Sequence, residues 1–180
     1  LEPAVVGLDS GLDMLAACMG CPAAYAEVVD ASKIVGFGDS ITQAGGYVEI
    51  IEAALIAQHP ESTYSIISLG LSSETVSGLS EEVHAGGQFP RPDLHERLAR
   101  VLEKTRPQLV LACYGMNDGI YYPLSAERRR AFEEGMKKLH GKVAAAGARV
   151  VHPTPPALVL FPTKPRGPRG GREKHPHPGR

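Results

Sequence analysis

The chain has 180 residues, a formal net charge of −1, 43% hydrophobic and 22% charged residues. That is enough chain for one domain with a sizeable core, and the near-neutral balance argues neither for nucleic acid nor for an anionic membrane as a partner. No run of about 18 apolar residues is present to span a bilayer, and three cysteines do not make a disulfide framework.

Residues 1–30 read as a weakly ordered or helical segment. Leu15-Ala16-Ala17-Cys18 has the form of a lipoprotein cleavage box, and Ala23-Ala24-Tyr25-Ala26 that of a small-residue cleavage site. No Lys or Arg precedes Lys33, and Asp9 and Asp13 interrupt the apolar run, so a secretion signal is incomplete. A secreted or periplasmic location is compatible with this, and a cytoplasmic one is not excluded. Cys18 and Cys21 have redox or metal spacing, but no second pair follows, and inert thiols are expected. Cys113 lies in an apolar run and reads as core.

The body alternates strand and helix patterns. Lys33–Gly38 reads as a buried strand. Tyr47–Gln58 reads as a helix with Val48, Ile51, Leu55 and Ile56 on one face. Tyr64–Leu69 is a second strand. Asp93–Lys104 is a helix carrying Leu94, Leu98, Val101 and Leu102 at helical spacing, with Pro92 suited to its first turn. Leu109–Tyr114 is a third strand. Ser125 is the expected N-cap of a helix on which Phe132, Met136, Leu139 and Val143 share a face. Gly147 ends it, and Arg149–His152 begins a fourth strand. Strands alternating with helices imply a parallel sheet covered on both faces.

Beyond His152 the character changes. Eight of the 15 prolines lie within residues 153–178, and proline removes ladder donors and breaks helices. Residues 161–180 hold six basic side chains and one acid, leaving the first 160 residues with 13 basic against 19 acidic. Residues 157–180 therefore read as a disordered Pro/Arg-rich tail.

Three strand ends carry the chemistry. Ile34-Val35-Gly36-Phe37-Gly38-Asp39-Ser40-Ile41-Thr42 ends a strand in a Gly-Asp-Ser turn before a helix. Open α/β sheets present nucleophiles and ligands at that place, although a plain turn with Ser40 as N-cap would use the same residues. Tyr114-Gly115-Met116-Asn117-Asp118-Gly119 follows the third strand, where an amide side chain can donate to a developing negative charge. An Asn-Asp-Gly turn is the plainer reading. Between them lies Ile67-Ser68-Leu69-Gly70-Leu71-Ser72-Ser73-Glu74-Thr75.

Taken in order, these runs resemble the first three motifs of the SGNH (GDSL-type) hydrolases, a family of serine esterases and lipases. The resemblance covers roughly residues 33–156, within a domain taken as 31–156. It implies a three-layer α/β/α fold of flavodoxin-like type around a parallel sheet. It further implies Ser40 as nucleophile, Asp39 as support for the turn, and the Asn117 amide as an oxyanion donor. A backbone N–H completes the oxyanion hole, from Ser73 or Gly70. Aligned on the acid-Thr pair, the family's glycine falls on Ser73, which is a departure from the pattern, while Gly70 stands three residues earlier. No metal and no organic cofactor is implied. The implied partner is a small ester, a lipid or an acetylated carbohydrate, and neither nucleic acid nor a membrane span is expected.

One part of the pattern is missing. The family carries a late Asp-x-x-His motif whose His is the general base. This chain has no Asp after Asp118, and His175 and His177 have Arg172 and Lys174 three positions earlier. The base is therefore unassigned. His59, His84, His95 and His140 read as surface polar groups, and His152, at a strand end, stays open. The compositional break leads us to expect a truncated or frame-shifted family member with an exposed apolar edge or face. Two other readings compete: a catalytically impaired, ligand-binding descendant of the fold, and a nucleotide-binding domain using Gly36-Phe37-Gly38. In the latter, Ile41 occupies the place of the third glycine.

Overall fold

The computed structural model describes residues 28–153, apart from 121 and 124. The expectations for residues 1–27, for Thr154-Pro155-Pro156 and for the basic tail lie outside the described residues. Four strands, β1 (Lys33–Gly38), β2 (Ser65–Gly70), β3 (Leu109–Cys113) and β4 (Arg149–Val151), form a wholly parallel sheet in the order β2-β1-β3-β4. The helices are α1 (Ser40–Ala44), α2 (Gly46–Gln58), α3 (Leu94–Thr105) and α4 (Ala126–Ala145).

β1 and β3 are almost continuously apolar because both of their faces are buried. Ile34, Leu109, Leu111 and Cys113 point into one layer with Tyr47, Val48, Ile51 and Leu55 of α2, joined by Val28 and Ala31. The alternate residues, Val35, Phe37, Val110, Ala112 and Tyr114, pack on Leu94, Leu98 and Leu102 of α3 and on Leu139 and Val143 of α4. Period-two alternation thus sorts one strand into two cores. Each fully buried Leu, Ile, Val or Phe contributes about 1.5–3 kcal/mol. Burial also pushes the Cys113 thiol up to about 12, in keeping with an inert core thiol.

The helix ends follow their local chemistry. The Asp93 carboxylate caps α3 by accepting from the His95 amide at 2.9 Å, so Pro92 precedes the cap and does not enter the first turn. Ser125 caps α4, accepting from the Arg128 amide at 3.2 Å. On α2 the buried stripe runs through Tyr47, Val48, Ile51 and Leu55, and it leaves Ile56 52% exposed, contrary to the sequence expectation. The other large exposed apolar side chains among the described residues are Ile67, Leu71, Val83, Phe89 and Tyr122. They lie on β2 and in loops.

The winding order places the site. From β1 the chain steps to β2 on one side, then crosses back to β3 on the other. The crevice between the carboxyl ends of β1 and β3 is therefore the topological switch point, where ligands of open α/β sheets bind. Gly36 and Gly38 are strand residues, paired with Ser68 and Gly70 on one side and with Leu111 and Cys113 on the other. Neither is free in a turn to cradle a phosphate, which removes the basis of the dinucleotide reading.

Candidate active site

The first strand end is built around two close approaches. A Cβ on Gly38 would lie 2.0 Å from Thr42 Oγ1 and 2.8 Å from the Cys113 carbonyl, and one on Gly70 would lie 2.1 Å from the Gln43 amide nitrogen. Glycine at both places lets α1 start directly over the strand ends. The N-cap is Asp39 and not Ser40: Asp39 Oδ1 accepts from the Ile41 amide at 3.0 Å. Ser40 is consequently the first helical residue. It is exposed, and its hydroxyl bonds to none of the described residues. Behind it, buried Thr42 shares a 2.8 Å hydrogen bond with Tyr47, and the Ser68 hydroxyl donates to the Thr42 carbonyl at 2.7 Å.

Asn117 reaches this turn from the end of β3. It is buried, and its Nδ2 donates to Asp39 Oδ2 at 3.2 Å and to the Glu74 carbonyl at 3.4 Å. One amide thus ties together the loops after β1, β2 and β3. Asp118, next in sequence, accepts through Oδ1 from the Val76 and Ser77 amides at 2.9 and 2.8 Å, while its buried Oδ2 has no partner. Burial raises both carboxyls above their usual range. At Asp39 the Ile41 amide opposes that rise and the neighbouring Asp118 charge adds to it. Behind the loop, a cavity of about 210 Å³ is lined by Gly115, Asp118, Gly119, Arg128, Arg129 and Phe132, and does not include Ser40.

The two candidates for a backbone donor have different surroundings. Gly70 ends β2 and is needed for contact with α1. Ser73 lies in the following turn with φ +65°, a left-handed conformation that favours glycine. The residue aligned with the family's glycine is thus the one whose backbone asks for glycine. Its neighbour Glu74 is fully buried and clamped. Arg97 donates from Nε and Nη2 to its two oxygens at 2.6 Å, and Tyr114 donates at 2.5 Å. Arg97 also bonds the Leu69 carbonyl and lies over the Phe37 ring. On the outer side, buried Arg91 donates to the Ser73 carbonyl and forms a fork with Glu81. These residues escaped sequence reasoning. The acid-Thr pair was the one signal, and it served there only as an alignment mark.

The described histidines do not supply a base for Ser40. His152 directs Nδ1 to the Ala112 carbonyl at 3.3 Å, and its Nε2 meets Nε2 of His140 on α4. It sits on the α3/α4 side of the sheet beyond β4, whereas α1 packs on the α2 side through Ile41. Two strand spacings, about 10 Å, separate β4 from β1. His84 bonds the Phe89 carbonyl, and His59 faces Glu61. His95 departs from its expected surface role, since both of its ring nitrogens are buried without partners. His175 and His177 lie outside the described residues.

The model of the GDSL-like Lipase/Acylhydrolase family matches residues 37–176. The chain belongs to that family. No curated protein matches it. Among solved structures, Axe2, an acetylxylan esterase from Geobacillus stearothermophilus, is similar at 21% identity with a TM-score of 0.52, over 67% of this chain and 58% of that one. The psychrotrophic esterase EstA from a Pseudoalteromonas species is similar at 25% identity with a TM-score of 0.49, over the same shares. The chain thus spans 58% of the length of these structures. The likeness to Axe2 is one of fold: a parallel sheet flanked by helices, as the family resemblance implied.

Proposed function

We propose that this GDSL-family chain cleaves carboxylic esters with Ser40 as nucleophile. Ser40 Oγ attacks the ester carbonyl. The backbone N–H groups of Ser40 and Ser73, with the Asn117 amide, hold the tetrahedral oxyanion. Its collapse breaks the ester C–O bond, and the alcohol leaves with the proton given up by the Ser40 hydroxyl. Water then attacks the acyl-Ser40 ester to release the carboxylic acid and restore the serine. Asp39 holds the turn and does not react. The observation that carries this reading is the hydrogen bond from Asn117 to the carboxylate of the residue just before Ser40, at the switch point of the sheet. At 3.2 Å that contact is long for a bond to a charged group, so an oxyanion can compete for the amide proton. Axe2 is by name an acetylxylan esterase, which favours acetyl or similarly short acyl esters as first substrates to try.

A second reading, a ligand-binding descendant with little turnover, is favoured by one observation: Ser40 bonds to no described histidine. A serine hydroxyl without a base is a poor nucleophile at neutral pH. One experiment separates the two. The full chain and Ser40→Ala are treated with a fluorophosphonate probe and assayed on p-nitrophenyl acetate, with and without added imidazole. Labelling and turnover lost in Ser40→Ala support the hydrolase. Turnover that requires imidazole, and is still lost in Ser40→Ala, supports the impaired site. Equal turnover by both proteins excludes Ser40 as nucleophile. In the hydrolase case, Asn117→Ala lowers kcat by roughly 10²–10³, the usual effect of removing one oxyanion donor.

A further inference from the structure

We propose that His140 and His152 form a two-imidazole site for a divalent late transition-metal ion of the zinc, copper(II) or nickel class. The pair lies away from Ser40, where β4 ends against the side of α4. The two Nε2 atoms are in contact, with ring centroids 4.5 Å apart and planes inclined by 44°. The Ala112 carbonyl can only accept, so the 3.3 Å contact keeps the proton of His152 on Nδ1 and leaves a lone pair on Nε2. A backbone carbonyl that fixes the tautomer through the distal nitrogen is the usual support of a metal-binding histidine. His140 is exposed, so its Nδ1 can carry the other proton toward water while its Nε2 lone pair faces the same point.

Two lone pairs aimed at one point repel each other unless a proton or a cation lies between them. A tetrahedral zinc ion with bonds of about 2.0–2.1 Å holds two nitrogens roughly 3.3 Å apart. A small outward rotation of exposed His140 provides that separation. Imidazole nitrogen suits zinc, copper(II) and nickel, while magnesium and calcium take oxygen ligands. Among the described residues no third His, Cys, Asp or Glu joins the pair, so water completes the coordination and the ion exchanges readily. Bound there, it cross-links the end of a three-residue strand, paired among the described residues with β3, to the long helix beside it.

The test titrates the metal-stripped full chain with zinc by calorimetry and follows thermal unfolding with and without zinc. The expected result is one ion per chain and a rise in Tm of about 5 °C near saturation. Both effects are lost in His140→Gln, an exposed substitution that leaves the fold intact, and in His152→Gln, but are kept when His175 and His177 are both replaced by Gln. Magnesium gives neither effect. With copper(II), electron paramagnetic resonance should show two imidazole nitrogens in the wild type and one in His140→Gln. Absence of saturable zinc binding in the wild type, or wild-type binding by His140→Gln, would overturn the proposal. Loss of binding only in the His175/His177 variant would do the same.

Discussion

The carboxyl ends of β1, β2 and β3 differ sharply from the end of β4. In the first region each loop is bonded to another: Asn117 to Asp39 and the Glu74 carbonyl, Asp118 to Val76 and Ser77, Arg91 to the Ser73 carbonyl. At β4 one ring contacts one carbonyl and one exposed imidazole. Buried polar groups must find partners or carry their desolvation cost. The loops around the Ser40 turn are therefore cross-linked to one another, while the end of β4 carries fewer such bonds among the described residues.

The largest effect should come from removing the cation that holds the central unit. Arg97→Met leaves Glu74 buried with Tyr114 as its remaining side-chain donor. Breaking a buried pair from one side costs about 3–5 kcal/mol. Urea unfolding of Arg97→Met should show a loss of that size, and a loss below about 1 kcal/mol, as for an exposed ion pair, would mean the clamp does not hold the loop. A smaller effect is expected at Gly135. A Cβ there would lie 2.1 Å from the Val76 carbonyl oxygen, because α4 packs directly on the backbone of the 74–77 segment. Alanine gains about 1 kcal/mol in helix propensity, but overpacking against backbone costs about 1–3 kcal/mol. In urea unfolding Gly135→Ala should therefore be less stable than the wild type, and a gain in stability would mean that α4 does not rest on the 74–77 backbone.

Much of the fold was legible because it is local. Lys33–Gly38 was read to the residue as a strand, since an apolar run buried on both faces carries its own signal. The cap at Ser125 announces itself by residue type, whereas Asp93, taken as the first residue of its helix, turns out to be the cap. The placement of Ser40 and Asn117 at strand ends followed from the same patterns. What was not legible is pairing at a distance. Glu74 meets Arg97 and Tyr114 across 23 and 40 residues, and Asn117 meets Asp39 across 78. Strand order decides those contacts, and no window of sequence contains it. Ile56 failed for a related reason: the helical period allowed two neighbouring stripes on α2, and the sheet selected the one through Tyr47.

Ser73 sharpens the comparison from the opposite direction, since it is a central residue whose replacement should help. A serine held at φ +65° costs about 1 kcal/mol relative to glycine. Ser73→Gly should raise stability by roughly 0.5–1 kcal/mol, offset in part by the greater entropy of the unfolded chain. If Ser73 donates only its backbone N–H to the oxyanion, the esterase rate should be unchanged. A large fall in kcat with the fold intact would assign a role to the Ser73 hydroxyl and sink the backbone-donor reading.

The smallest effect separates the two regions by pH. His95 lies on the flank of α3 against α4, outside the central network, with both ring nitrogens buried and unpartnered. Burial lowers its pKa below the ordinary 6.5; the Lys138 charge adds to this and Asp93 opposes it. The unfolded chain therefore binds a proton that the folded chain resists, so stability rises with pH across that interval. His95 makes no demand above pH 6.5, and it withdraws stability as the pH falls below that value. Asp39 and Asp118 act with the reverse sign, because their raised pKa values mean that the folded state takes up protons first on acidification. Acid thus relieves the centre while it strains the α3/α4 flank. On going from pH 7.5 to 5.5 the urea midpoint of His95→Leu should lose less, or gain more, than that of the wild type, because the variant lacks the His95 penalty while both keep the opposing carboxyls. That variant should also be no less stable at pH 7.5, since it replaces two unsatisfied polar atoms with apolar ones. Parallel shifts in the two proteins would place the acid sensitivity elsewhere in the chain and remove the distinction between the flank and the centre.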